Sequence, residues 1–219
     1  MLPLYDENRS RTTPIVTWAL IAANIIVFVW EITYNFDQWI FFTFGEVPYL
    51  VFRGENLYTL ITSMFLHADF WHILGNMLYL FVFGDNIEDR FGHVKYLFFY
   101  LIFGIVGGLA HAFISVTEGG VGACIPTIGA SGAVSGILGA YIVLFPRARV
   151  VSVVPSFFFL RLARIPAIVF IGFWFIVQLL YAGSMRGVAY MAHIGGFVTG
   201  LIMATLFRVL NREKRTRWY

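Results

Sequence analysis

Residues 128–145 read Ile128-Gly129-Ala130-Ser131-Gly132-Ala133-Val134-Ser135-Gly136-Ile137-Leu138-Gly139-Ala140-Tyr141-Ile142-Val143-Leu144-Phe145. The run carries no charged residue, and Gly132, Gly136 and Gly139 recur about one helical turn apart. From Ala130 to Phe145 it offers about 16 residues, roughly 24 Å of helix, against a hydrocarbon core of about 30 Å. The pattern predicts a short membrane helix whose N-terminus, with Ser131 on it, starts below the membrane surface. Free backbone N–H groups and the positive end of the helix dipole would stabilise a nearby anion there.

The rest of the chain agrees with a membrane setting. Of its 219 residues 59% are hydrophobic, 19% aromatic and only 12% charged, and the mean hydropathy is +0.79. Soluble domains run near 25% charged. The composition excludes a disordered chain, a disulfide scaffold and an ordinary soluble enzyme. Six apolar segments are predicted to span: Pro14–Ile32, Phe65–Phe83 with helix continuing to Arg90, Tyr96–Ser115, Ala130–Phe145, Ile165–Ala182 and Ala189–Phe207. Pro14 and Pro166 suit the first turn of a helix, where a missing N–H costs nothing. The expectation is an all-α polytopic membrane protein, a single domain over 1–219 with its core at about 14–207 and an uncleaved first span. The single Cys124 forms no internal disulfide.

Charge sets the topology. Thirteen of the fifteen Lys and Arg lie in the N-tail (Arg9, Arg11), between spans 2 and 3 (Arg90, Lys95), between spans 4 and 5 (Arg147, Arg149, Arg161, Arg164) or at the C-end (Arg208, Arg212, Lys214, Arg215, Arg217). The other side holds Arg53 and Arg186. The positive-inside rule places both termini in the cytoplasm. Residues 33–57 form a long outer loop rich in aromatics, suited equally to the membrane interface or to packing on the bundle. Residues 116–129 form a glycine-rich outer loop, expected to be mobile and to help wall a cavity above Ser131.

Polar groups inside spans are expensive and therefore informative. Ser131 opens the short helix. His193 lies about one turn inside span 6, which enters from the same outer side. Gly196 and Gly200 share its face, so close packing of the two glycine stripes would bring Ser131 and His193 together. A nucleophile and its base need that geometry. His67, His72 and Asn76 open span 2 from the same side; an imidazole N–H and an amide suit a developing oxyanion. No Asp or Glu is placed as a third member, so a Ser–His dyad is expected. Each residue alone also has a structural reading, as an N-cap, a satisfied histidine or a packing glycine. Their agreement in side and depth from three spans favours chemistry.

The set His67-x4-His72-x3-Asn76, then Gly129-Ala130-Ser131-Gly132, then Ala192-His193-Ile194-Gly195-Gly196 resembles the rhomboid intramembrane serine proteases, over about residues 14–207. The resemblance implies hydrolysis of peptide bonds in or beside the transmembrane helices of membrane-protein substrates, through an acyl-enzyme. Ser131 would be the nucleophile and His193 the base; His72, Asn76 and the backbone N–H groups of Ser131 and Ala130 would hold the oxyanion. Glu88, within Gly84–Gly92, matches a family motif and is expected to hold helices together. Two positions depart from what members of the family carry: Tyr58-Thr59 stands where many have Trp-Arg, and Ser135 where some have an aromatic residue below the histidine. No cofactor, metal or nucleic acid is expected. The bilayer of the cell (inner) membrane is the expected setting, with the site opening toward the extracytoplasmic side. A catalytically silent relative that binds transmembrane helices is the alternative; a small transporter or channel would carry charged groups or paired broken helices within its spans, and neither pattern is clear.

Overall fold

A computed structural model of the chain describes residues 1–8, 10–155, 159–182 and 189–216. Arg9, Arg186 and Arg217, which enter the charge asymmetry, lie outside the described residues. In chain order the elements are β1 (Leu2–Asp6), α1 (Ile15–Thr33), α2 (Gln38–Phe44), α3 (Pro48–Phe52), α4 (Thr59–Thr62), α5 (Phe70–Phe91), α6 (His93–Glu118), α7 (Ser131–Leu144), β2 (Arg149–Pro155), β3 (Leu160–Pro166), α8 (Ala167–Tyr181) and α9 (Tyr190–Thr216). By length and composition α1, α6 and α9, the last over Tyr190–Asn211, are apolar enough to cross a membrane, and α7 and α8 are shorter apolar helices.

The predicted spans correspond to α1 and α5–α9, with shifted ends. Helix α5 begins at Phe70 rather than Phe65 because Asp69 caps it: the backbone there is extended, and its carboxylate accepts from the His72 N–H at 2.9 Å. His67 therefore precedes the helix. Helix α6 starts at His93, directly after Gly92, whose φ of 78° favours glycine. Helix α9 runs nine residues past Phe207.

The expectation of an all-α chain needs correction: β1, β2 and β3 form a three-stranded antiparallel sheet. The N-tail and the charged connection between spans 4 and 5 supply it. The β-branched run Val150-Val151-Ser152-Val153-Val154 and the alternation Leu160-Arg161-Leu162-Ala163-Arg164-Ile165 are strand signals. Pairing them takes Ile165 and Pro166 into β3, so α8 starts at Ala167. Asp6 fastens β1 to the helices by accepting from Tyr141 Oη and from Asn86 Nδ2. Burial pushes its carboxyl up to about 6.

Backbone contact between α7 and α9 sits at the centre. A Cβ on Gly196 would run into the Gly132 carbonyl oxygen, and one on Gly200 into that of Gly136. From the other side, a Cβ on Gly139 would meet the Phe197 carbonyl. Helices in lipid have no hydrophobic drive to associate, so small residues that admit backbone to backbone supply the packing. Helix α6 completes the group: Gly107 faces the Ala192 carbonyl, and Phe103 fills the space over Gly136.

Glu88 ties α1 to this core. It is fully buried, and its carboxylate accepts from the Val16 N–H at 2.9 Å, the Thr17 N–H and hydroxyl at 2.7 Å each, and His93 Nδ1 at 2.6 Å. It thus satisfies free donors at the start of α1, whose N-cap Pro14 offers no side-chain acceptor.

Two outcomes follow for thermal unfolding in detergent. Glu88→Ala strips the first turn of α1 of its acceptor and should cost about 3 kcal/mol; a change under about 0.5 kcal/mol, the range of ordinary surface substitutions, would refute the capping role. Gly200→Val places atoms inside the Gly136 carbonyl and should cost about 1–3 kcal/mol or prevent folding. A variant as stable as the parent would show that α7 and α9 separate readily.

Candidate active site

The close approach of α7 and α9 carries Ser131, the first residue of α7, to His193, one turn into α9. Ser131 Oγ lies 2.8 Å from His193 Nε2. On the far side of the ring, His193 Nδ1 lies 2.7 Å from Gln178 Oε1 in α8. An amide oxygen only accepts, so Nδ1 carries the proton and Nε2 accepts from the Ser131 hydroxyl. The Gln178 amide NH₂ faces the Trp174 carbonyl, at 3.5 Å. Expecting a dyad left this residue out, although the signal was present: Gln178 is the one amide in the apolar run 167–182, and polar groups inside spans are the ones to question.

Aromatic rings flank the imidazole. Trp174 of α8 lies 6.1 Å from it, tilted by 38°, and Tyr190 meets it edge-on at 6.1 Å. Ser135, where the family pattern has an aromatic, donates to the Ser131 carbonyl at 2.6 Å. The rings beside His193 thus come from α8 and α9 instead of α7.

Opposite lies the start of α5. Gly129 has φ +120°, and a Cβ there would stand 2.6 Å from His72 Nε2 and 3.7 Å from Ser131 Oγ. Only glycine leaves that space open. The Gly129 N–H donates to the Ser63 carbonyl at 2.9 Å, which fixes the turn. His72 Nδ1 lies 3.5 Å from the Ala68 nitrogen; accepting its N–H leaves the proton on Nε2, on the side of the Gly129 turn. Asn76 is buried and donates to the His72 carbonyl at 3.1 Å. Ala130 is fully buried as the residue before α7. His67 is buried against the His72 ring at 5.0 Å, and its backbone N–H donates to the Glu31 carboxylate at 3.0 and 3.2 Å. Of the sequence-predicted residues, His193 contacts Ser131, His72 adjoins the Gly129 turn next to it, Asn76 bonds to the His72 carbonyl, and His67 packs behind His72.

A cavity adjoins Ser131, lined by Glu46, Ser63, Thr127, Gly129 and Ala192 among others. Glu46 was not foreseen from the sequence. It is 3% exposed, Oε1 has no hydrogen-bond partner, and burial pushes the carboxyl up to about 7. Its backbone pairs with that of Thr127, so loops 33–57 and 116–129 are joined beside this cavity. The first loop packs Ile40 inward while Trp39 and Phe42 stay exposed. Tyr58 and Thr62 donate to the carbonyls of Thr43 and Phe44, at 2.9 and 2.6 Å. These bonds anchor the loop where Tyr58-Thr59 replaces the usual family pair.

Comparison with known proteins identifies the family. A family model described as the rhomboid domain matches residues 54–209. RHOMBOID-like protein 12, mitochondrial, of Arabidopsis thaliana is 38% identical over 146 residues, 61% of this chain and 42% of the relative. Rhomboid protease GluP of Bacillus subtilis is 30% identical over 197 residues, 87% of this chain and 34% of the relative. Rhomboid protein 1, mitochondrial, of Saccharomyces cerevisiae is 27% identical over 213 residues, 92% and 56% respectively. The chain thus spans between a third and a little over a half of these relatives. The matched domain covers well over half of the chain and includes Ser131, His193 and the helices that bring them together, and the chain belongs to the rhomboid family.

Proposed function

We propose that this chain is an intramembrane serine endopeptidase that cuts membrane-protein substrates in or next to their transmembrane helices. The observation that carries the reading is the 2.8 Å contact between Ser131 Oγ and His193 Nε2, with Nδ1 held by Gln178. In the first half-reaction the Ser131 oxygen attacks the scissile carbonyl carbon while its proton passes to Nε2. The oxyanion is met by His72 Nε2–H, Asn76 and the backbone N–H groups at the start of α7, Ser131 and Ala130 among them. The C–N bond then breaks, and the imidazolium gives its proton to the leaving amine. In the second, His193 takes a proton from water as its oxygen attacks the acyl carbon, the ester C–Oγ bond breaks, the imidazolium returns the proton to Ser131 Oγ, and the carboxylic acid product ionises in water. Gln178, acting through His193, is a positioning residue.

The proposed setting is a single rhomboid domain with six spans, α1 and α5–α9. Both termini are cytoplasmic, and the site opens on the extracytoplasmic side of the cell membrane. Substrate helices rich in small residues or proline suit such a site, because a protease needs an extended backbone and a stable helix hides its carbonyls.

Cleavage of a single-span substrate in liposomes tests the reading. Ser131→Ala and His193→Ala should each lower turnover by at least about 1,000-fold; equal turnover in both variants and the parent refutes the assignment. A parent that neither cuts nor takes a fluorophosphonate label on Ser131 supports the silent-relative alternative. Gln178→Leu should lower kcat by about 10- to 100-fold with KM nearly unchanged, because the ring loses the acceptor that fixes its tautomer. Gln178→Glu, which retains an acceptor oxygen, should recover part of that loss. Equal activity in Gln178→Leu and the parent would leave Gln178 with packing alone.

A further inference from the structure

The sheet has two unlike faces. Cross-strand pairing sets Pro3, Ser152 and Ala163 in one row and Asp6, Val150 and Ile165 in another. Pro3, Val150 and Ser152 of that face are buried. The opposite face carries the rows Leu2–Val153–Leu162 and Tyr5–Val151–Arg164, with Leu160 at one end and Arg149 at the other. Here Val151 at the centre is buried, and around it Leu160 and Leu162 are 76% and 70% exposed, Leu2 and Tyr5 are about half exposed, and both arginines are exposed. An apolar tip with a basic base is the layout of a surface that meets lipid.

Two observations choose the occupant. Residues 147–166 contain four arginines and no Asp or Glu; Glu7 pairs with Arg164 at 3.1 Å, while Arg149 has no ion pair among the described residues. The sheet is also continuous with the membrane-facing helices: β3 ends at Pro166 and α8 begins at Ala167, whose N–H donates to the Ala148 carbonyl at 2.8 Å. Ile168 and Val169, in the first turn of α8, are already exposed apolar residues.

We infer that this face of the sheet docks on the bilayer surface beside α8 and takes anionic phospholipid. Leu2, Leu160, Leu162 and Tyr5 enter the interfacial layer, and Arg149 and Arg164 meet the phosphates. That the leaflet is the cytoplasmic one rests on the topology proposed above. The docking itself does not.

The test uses the full chain with Cys124→Ser and a single bimane-labelled cysteine, Leu162→Cys on the docking face or Arg161→Cys on the opposite one. Vesicles hold phosphatidylcholine with or without phosphatidylglycerol, equal in both leaflets, so the readout is independent of orientation. Brominated acyl chains should quench the label at 162 and not at 161, more strongly with phosphatidylglycerol. Arg149→Gln with Arg164→Gln should shift the equilibrium toward water by about fivefold per arginine. Iodide quenching in water that is equal at 162 and 161 overturns the inference, and lipid quenching indifferent to phosphatidylglycerol overturns the anionic selectivity. Quenching that follows protein density instead of lipid means that a second copy covers the face. Leu160→Cys reads the same face should Leu162→Cys fail to fold. Substrate cleavage by the unlabelled parent tests the protease reading separately, so either can fail alone.

Discussion

Backbone-to-backbone contact between α7 and α9 is the constraint on which the remaining structure depends. Gly132 and Gly136 present carbonyls where Gly196 and Gly200 have no side chains, and Gly139 returns the contact one turn further on. With nothing flexible between them, the two helices have one register. Ser131 precedes Gly132, and His193 follows Ala192, whose carbonyl lies against Gly107. The register of the glycines therefore sets the distance from hydroxyl to imidazole. A looser interface filled by long side chains would let that distance vary.

Around this contact the molecule meets the demands of buried polar groups with carboxylates at helix starts. Glu88 serves α1, Asp69 serves α5, and Glu31 accepts from the His67 backbone just ahead of α5. Each acceptor comes from a different helix than the donors or from the residue that begins the helix. At Glu88 capping and helix-to-helix fastening are thus the same bonds. Glu46 is the exception. It is buried between loops 33–57 and 116–129 with an unsatisfied oxygen beside the cavity at Ser131, so its charge is opposed by burial with no fixed donor on that atom to favour it.

His193 is held from both sides, by the serine hydroxyl and by the Gln178 amide, with Trp174 beside its ring. A neutral amide fixes the tautomer as a carboxylate would, and does so without burying another charge. Helix α8 thus contributes both the acceptor and the aromatic wall, while Ser135 of α7 turns its hydroxyl back to its own helix. The aromatic support that some family members draw from the position of Ser135 comes here from a neighbouring helix.

Much of this was legible in the chain. Composition determined the membrane class, apolar periodicity located the helices, and the glycine spacing in 132–139 and 196–200 indicated which helices meet. The residues His72, Asn76, Ser131 and His193 stood out because polar groups are costly in lipid. The sheet was missed because its strands come from the N-tail and from a connection about 140 residues away, and charge there was read as topology alone. Gln178 and Glu46 were not found because their meaning depends on what faces them. Sequence by itself thus determined the helices and the polar candidates, through local periodicity and the cost of burial. Only the tertiary structure decided which polar groups pair and where the tail lies, because those depend on contacts between residues far apart in the chain.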